Sequence, residues 1–483
     1  MTRTRTILFW AAAAALLIGH VIVAWHSLVG WWFWEDEAFN LTVPLNLLDG
    51  LGYSSDGALS GSTITPFDPR ISTGPVVLLP VAALLATGMD PVLAARLVPL
   101  AYWIALLIGL LVIGRRIGGR WAALLAVAVP LAFTAAAGVS PIQGPADLLG
   151  EIPAAALIVW ALIVLPRRAW LAGLLLGLAI QTKFIAALAL PAFAVALWVL
   201  SDGTGWPRVR ETLRRSWLPL LLVAAPTLLF ELSALLSLGF SGYVQHLRDL
   251  GHFVRTGGQG DAASSPLQKL GTLADSWSVL GVLAVIGAVI AVALALIGIV
   301  GRWSRATPAE RVVIAYALAA LVGALAFVGW WTTASRLPLW VRHPAPGVFA
   351  FFPIIAAVAV WAVAGLPRRS VVRTVGVIAA AGLAVVVAAG ATGHTMSSFT
   401  PRGPTLESQR AAVAPLAAWV AENDVEWLAA EPWGMPVAPI VLTGAHVGLY
   451  DAPAMQGVPR LTGLECPTET LVDGGLYRIC AAP

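Results

Sequence analysis

Residues 31–40 read WWFWEDEAFN, and the interpretation of this stretch decides the fold. Three consecutive carboxylates, Glu35, Asp36 and Glu37, follow four aromatic residues and stand directly after a long apolar run. Two readings are open. In one, the acids end an apolar helix at a membrane surface and the tryptophans anchor it there. In the other, one carboxylate performs acid–base chemistry on a substrate that reaches that surface. Adjacent residues on a helix point about 100° apart, so at most one of the acids faces a given substrate.

Composition places the stretch in a membrane protein. The chain is 59% hydrophobic and 11% charged, with a mean hydropathy of +0.85, whereas soluble domains carry about 25% charged residues. The 21 tryptophans suit a polytopic protein, because indole favours the membrane–water interface. A sequence pI near 9.4 raises nucleic acid as a partner, but no basic patch with interleaved aromatics is present. The arginines form short clusters between apolar runs instead, which is an orientation signal.

Apolar runs mark about 11 candidate spans, at residues 7–30, 91–113, 121–137, 148–165, 169–185, 186–200, 217–238, 278–300, 312–331, 347–366 and 371–391. The run from residue 7 is too long for a signal-peptide core and is read as a retained span. A further piece, 75–87, is short for a crossing and reads as an interfacial helix. With 75–87 left at the interface, 17 arginines from Arg3 to Arg373 share one side. About eight cations, Arg70 to Arg342, fall on the other. The positive-inside rule then puts the N-terminus in the cytoplasm and the loop 31–90 outside. The segment from residue 392 is also outside.

The outer loops carry the chemistry-bearing residues. Loop 31–90 holds Asp36, Asp49, Asp56 and Asp68, and the next ends in Asp147 and Glu151. The loop 239–277 holds His246, His252 and Arg255, with a Gly/Ser-rich patch at 257–265 that reads as a mobile lid or linker. Residues 332–346 hold Arg336, Arg342 and His343. The expected organisation is a transmembrane domain over 1–391, with its catalytic outer loop at 31–90, and an extracytoplasmic α+β domain over 392–483. In that domain 405–423 has helical period, and 437–450 and 476–481 read as strands. So small a unit should pack on the outer loops rather than stand alone. Its two cysteines, Cys466 and Cys480, lie in the compartment where a disulfide is stable.

An outward carboxylate pair just after the first span resembles the type-C glycosyltransferases (GT-C fold). That group includes the protein O-mannosyltransferases and the lipid A aminoarabinose transferases. The resemblance extends through STGPVVLLP at 72–80, DPVLAARL at 90–97 and GLLLGLAIQTK at 173–183, and so over roughly the first 200 residues. It implies a polytopic all-α membrane protein that transfers a sugar from a polyprenyl-phosphate donor. The acceptor, a lipid, glycan or protein, would lie on the outer face of a bacterial cytoplasmic membrane. Asp36 would correspond to the loop carboxylate that activates the acceptor, with Glu37 orienting it or an acceptor group and Glu151 or Asp147 supplying a further acid. The aminoarabinose enzymes carry a lysine in the first outer loop for the lipid phosphate; this chain has none there, and Arg70 is the nearest cation.

The residue types fit that chemistry independently. A departing lipid phosphate gains negative charge and needs cations near the membrane surface. Arg70, Arg96, Lys183, Arg255 and Arg342 are available. Arg96 and Arg342 have interface anchoring as their alternative, while Lys183 sits between two apolar runs with no acidic neighbour in sequence. His246 and His252 are six apart, which is not a helical ligand pair, so no metal site is assigned. Some type-C enzymes use a divalent cation, and the resemblance leaves one open. No nucleotide-binding fingerprint is present. The competing class is a transporter or flippase for a lipid-linked substrate; it calls for polar helices at mid-membrane and repeated halves, whereas the ionisable residues here gather on one face.

Overall fold

The computed structural model describes residues 3–57, 63–134, 142, 144–256 (without the side chains of 254–256), 264–334, 339–367, 370–400, 404–431, 434 and 436–482. The patch 257–263 and the side chains of Arg255 and Arg336 lie outside the described residues. In chain order the helices are α1 (Arg3–Trp25), α2 (Glu35–Leu48), α3 (Pro75–Leu85), α4 (Pro91–Ala132), α5 (Glu151–Val164), α6 (Ala169–Thr182), α7 (Leu190–Leu200) and α8 (Trp206–Thr256). They continue as α9 (Pro266–Asp275), α10 (Gly281–Arg302), α11 (Pro308–Thr333), α12 (Ala345–Ala364), α13 (Val371–Ser397), α14 (Leu406–Glu422) and α15 (Val437–Thr443). A hairpin of β1 (Ser54–Asp56) and β2 (Ile64–Pro66) lies in the first loop. Strands β3 (Trp427–Ala430), β4 (His446–Leu449), β5 (Arg460–Thr462), β6 (Thr470–Asp473) and β7 (Arg478–Cys480) form one sheet in the order β4-β3-β5-β7-β6.

Among the described residues seven helices are long and apolar enough to cross a membrane, against the eleven or so spans expected. The difference has a geometric cause. The two expected spans 91–113 and 121–137 fall on the two arms of α4, which leaves helical geometry between them at Gly118 and Gly119 (φ 76°) and so is counted once among the seven. There the chain doubles back, so a Cβ on Gly114 would lie 2.7 Å from the Cα of Ala123. Helices α5 and α6 have 14 residues each, which is about 21 Å of rise against a hydrocarbon core of about 30 Å. Helix α3, at 11 residues, spans only about 16 Å. Helix α12 lies at the centre, packed against α4, α5, α10, α11 and α13, while α1 and α8 present long apolar faces outward. The bilayer rather than protein is the natural solvent for those faces.

A second core joins the loop 31–90 to the C-terminal region. Phe33, Phe39, Leu41 and Val43 from around α2 share one cluster with Leu416 of α14, Val437 and Ile440 of α15, and Leu461 of β5. Gln409 of α14 adds a polar clasp, accepting from Phe33 N at 2.8 Å and donating to Phe33 O at 2.7 Å. Cys466 and Cys480 are disulfide-bonded. The segment 437–450, expected as a strand, is helix α15 followed by β4. Pro436 starts the helix in αR geometry, and Gly444, at φ 87°, ends it in the left-handed conformation. A short apolar run bounded by such residues carries no period that separates helix from strand.

What fixes α2 in place is a buried ion pair. Arg96 and Glu37 are both fully buried. The guanidinium meets the carboxylate through two contacts, Nε to Oε1 at 3.0 Å and Nη2 to Oε2 at 2.7 Å. Arg96 also donates to the carbonyls of Leu28, Trp31 and Trp32, and Glu37 accepts from Leu148 N at 3.2 Å. The pair therefore ties the turn after α1, the aromatic stretch, α2, α4 and the loop before α5 to one point. The STGP segment is stitched similarly. Asn40 donates to Leu148 O and Thr73 Oγ1, and Gly74 N donates to Thr182 O at 2.9 Å.

Two measurements check these constraints. A Cβ on Gly74 would lie 2.0 Å from Gln181 O, whereas one on Gly271 meets nothing within 4 Å. Gly74→Ala should cost about 1–3 kcal/mol and lower the melting temperature in detergent, while Gly271→Ala should be neutral or slightly stabilising; equal melting temperatures would refute the close approach. Arg96→Met leaves Glu37 as an unpaired buried charge, at a cost of about 3–5 kcal/mol. It should abolish the monodisperse peak in size exclusion, and Arg96→Lys should fail to restore it, because an ammonium cannot reproduce the forked geometry. A wild-type profile for the lysine variant would sink this account.

Candidate active site

The three adjacent acids at the start of α2 meet three different environments. Their place in the first turn suits the helix dipole, and their 100° spacing sends them apart. Glu37 points inward to Arg96. Asp36 forms an ion pair with Arg342, which enters from the loop before α12. Glu35 sits partly buried beside both, and burial, reinforced by the neighbouring Asp36 charge, raises its carboxyl to about 7 against the opposing pull of Arg342. Asp36 and Arg342, 306 residues apart in sequence, are each only slightly exposed, at 13% and 11% of their side chains.

A second carboxylate–cation pair is built from α5 and α6. Glu151, buried at the first position of α5, lies 3.1 Å from Lys183 Nζ. Lys183 terminates α6 in an extended conformation (φ −155°, ψ 116°), so its side chain leaves the helix end rather than its flank. The end of α6 is held by glycines. Added Cβ atoms on Gly74 and Gly150 would meet the carbonyls of Gln181 and Thr182 at 2.0 and 2.1 Å. The carboxylate of Glu151 receives no hydrogen bond among the described residues, so its partner is the ammonium charge alone.

His343 links the two pairs electrostatically. Burial holds its imidazole well below the usual histidine range, and Arg342, Lys183 and Lys269 push it in the same direction. The ring stacks on Trp340 and meets Trp330 edge-on, and its Nε2 is buried without a hydrogen-bond partner among the described residues. Lys269, at the inner face of α9, donates to Trp331 O at 2.6 Å and Ala334 O at 2.5 Å and lies over the Trp331 ring. Lys269 carries no motif and was not among the expected site residues. Its signal is its rarity, since it and Lys183 are the chain's two lysines.

Arg70 is drawn into another cluster. It contacts Asp68 through Nε at 2.7 Å and Nη2 at 2.5 Å, and Glu231 of α8 at 2.9 Å. Burial opposes ionisation of Asp68, but hydrogen bonds from Arg70 and His246 outweigh it and hold the carboxyl at about 2. His246 Nε2 lies 3.2 Å from Asp68, and Tyr243 donates to Glu231 at 2.6 Å. The structure thus brings Asp36 with Arg342 and Glu151 with Lys183. It pairs Arg96 with Glu37 in the interior and joins Arg70 to α8. Asp147 is buried beside Arg96. Among the described residues no group of three or more His, Cys, Asp or Glu converges in a way that would hold a metal ion.

No protein-family model matches the chain, and neither does any curated protein sequence. Its structure is similar to that of ArnT from Cupriavidus metallidurans in the apo state. The TM-score is 0.56 at 13% identity, over 99% of this chain and 98% of that one. The same ArnT bound to undecaprenyl phosphate gives a TM-score of 0.56 at 13% identity, over 100% and 98%. The Archaeoglobus fulgidus oligosaccharyltransferase in the apo form gives 0.50 at 10% identity, over 94% of this chain and 69% of that one. At these identities the likeness is one of fold: the chain is a multi-pass membrane protein with the GT-C fold.

Proposed function

We propose that this protein is an integral-membrane glycosyltransferase that moves a sugar from a polyprenyl-phosphate donor to an acceptor on the outer face of the cytoplasmic membrane. The observation that carries the reading is the pairing of Asp36 with Arg342, within a fold shared with an ArnT that binds undecaprenyl phosphate. Loop 31–90 is then the catalytic loop and 392–483 an extracytoplasmic domain packed on it. A base and a cation for a leaving anion are the two groups that the reaction requires.

In the proposed step Asp36 accepts the proton of an acceptor hydroxyl as its oxygen bonds to the anomeric carbon. The bond from that carbon to the phosphate oxygen breaks, and its electron pair leaves with the lipid phosphate. Arg342 and Lys183 hold the charge that develops there. Glu151 positions Lys183 at the end of α6. Glu37 and Arg96 act by position, holding the first turn of α2 against the second outer loop. Arg70 secures the STGP segment to α8 and stands one step removed from the phosphate.

Asp36→Asn should lower transfer from a matched lipid-linked sugar by about 10²–10⁴-fold while leaving insertion and donor binding intact; near-wild-type turnover in that variant removes the base from the mechanism. Glu35 supplies a pH test. Its folded value of about 7 lies above the ordinary 4.5, so the folded state binds the proton more tightly than the unfolded chain. Stability therefore falls as pH rises from about 4.5 to about 7. Glu35→Gln removes that loss, so its melting temperature should exceed that of the wild type above pH 7 and match it below pH 4.5. Parallel melting curves across this range would show that Glu35 is not held protonated.

A further inference from the structure

We infer that the cleft between the loop 31–90 and the C-terminal region is a binding site for an uncharged saccharide, separate from the candidate active site. The cleft has a volume of about 480 Å³, within the range of about 300–1,000 Å³ usual for small-molecule pockets. Its two main walls come from helices far apart in sequence. Leu41, Leu45 and Asp49 follow at four-residue spacing along α2 to its C-cap, and Arg410, Val413 and Ala417 form a matching stripe on α14. Asp90 at the start of α4 and His446 of β4 close the sides. Asn46, on the cleft wall, stands ten residues after Asp36, which is about 15 Å along the helix.

The walls are fixed by contacts that cross from one side to the other. Asp90 accepts from Arg410 Nη2 at 2.7 Å and so joins α4 to α14; it also caps α4 by accepting from Leu93 N at 2.9 Å. Next to Arg410, the buried Gln409 holds α14 to Phe33. On the opposite side Asp56 of β1 is buried. It accepts from Asn46 Nδ2 at 2.9 Å and from Val447 N at 3.0 Å, and both its oxygens lie 3.2 Å from His446 Nδ1. Close-packed interiors leave few voids larger than a water molecule. A cleft of this size, held between walls that are pinned to each other, is a built feature of the joint.

The lining selects the class of ligand. Three carboxylates, Asp49, Asp56 and Asp90, face two groups that can carry positive charge, Arg410 and His446, and Glu426 adds a further negative charge near His446. An anion is therefore repelled even when His446 is protonated. A cation finds Asp56 and Asp90 already paired; Asp49, the carboxylate without a hydrogen bond or ion pair among the described residues, is exposed to water, where a single ion pair contributes little. A hydrocarbon chain would strip water from these charges with nothing to replace it. A saccharide suits both kinds of wall. Each hydroxyl donates and accepts, which matches the Asp49 carboxylate, the Arg410 nitrogens not held by Asp90, and Nε2 on the edge of the His446 ring away from Asp56. Its C–H face rests on Leu41, Leu45, Val413 and Ala417.

The test applies the full-length protein in detergent to an array of neutral, acidic and amino-sugar oligosaccharides, and then titrates the strongest neutral binder free in solution by calorimetry. Neutral oligosaccharides should bind and acidic ones should not. Asp49→Ala removes a hydrogen-bond acceptor and Ala414→Leu fills the α14 wall, and each should raise the dissociation constant about tenfold. Both positions are exposed, so the variants should fold, with melting temperatures to verify it. Ala411→Leu, exposed on the same helix outside the cleft, should leave the affinity unchanged, and so should Asp36→Asn. An array with no neutral binder, or a preference for acidic sugars, overturns the inference. Binding that survives both cleft variants overturns it too; if that binding falls in Asp36→Asn, the sugar belongs to the candidate active site and the transferase reading stands. The inference does not rest on that reading, since undiminished transfer by Asp36→Asn would leave the cleft and its ligand untouched.

Discussion

The buried pair of Arg96 and Glu37 is the constraint on which the loop 31–90 and the elements packed against it depend. Taking both charges out of water costs several kcal/mol per ion, and the structure offsets this with two contacts between them, three carbonyls on the guanidinium side and a backbone amide on the other. Such an arrangement is costly to satisfy in any other geometry, so it selects one. Because the carbonyls come from the turn that holds the tryptophans, the direction in which α2 leaves α1 is set here. Once Glu37 is held, the helical period carries Asp36 around the axis toward the loop before α12.

That geometry explains why a short acidic stretch serves two purposes. The alternatives of interface anchor and chemical group do not exclude one another when the three acids point in three directions. One carboxylate, Glu37, serves the architecture and one, Asp36, meets Arg342. The third, Glu35, is partly buried at a place where its proton is retained to near-neutral pH. The second core supports the same end. Gln409 clasps Phe33 two residues before Glu35, so the C-terminal sheet and its helices are coupled to the position of the candidate base.

Small residues do comparable work in the membrane part. Gly74 and Gly150 allow backbone to approach the last carbonyls of α6 closer than any side chain would permit, which brings Lys183 beside Glu151. Gly118 and Gly119 break α4 between the two stretches that hydropathy reads as separate spans and let its two arms fold back on each other. The STGP and QTK motifs, far apart in sequence, are thus neighbours in space, joined by the hydrogen bond from Gly74 to Thr182.

Hydropathy, charge fraction and arginine clustering by themselves determined that the chain is a polytopic membrane protein, because transfer of apolar surface is local and additive along the chain. The order of the acidic turn, the STGP segment and the Thr-Lys helix end likewise pointed to the GT-C fold, and Asp36, Glu151, Lys183 and Arg342 were legible as candidates from residue type and loop position. Only the tertiary structure decided which of them meet. Asp36 with Arg342, and the assignment of Arg96 and Glu37 to the interior, depend on contacts between residues far apart in sequence, which no period or spacing encodes. The same holds for α15, whose short apolar run suits a strand equally well until the flanking turn geometry is seen, and for Lys269, whose surroundings come from α11 and the residues that follow it. A pair of charges has a meaning only once its distance and its solvent are known, and both are properties of the folded chain.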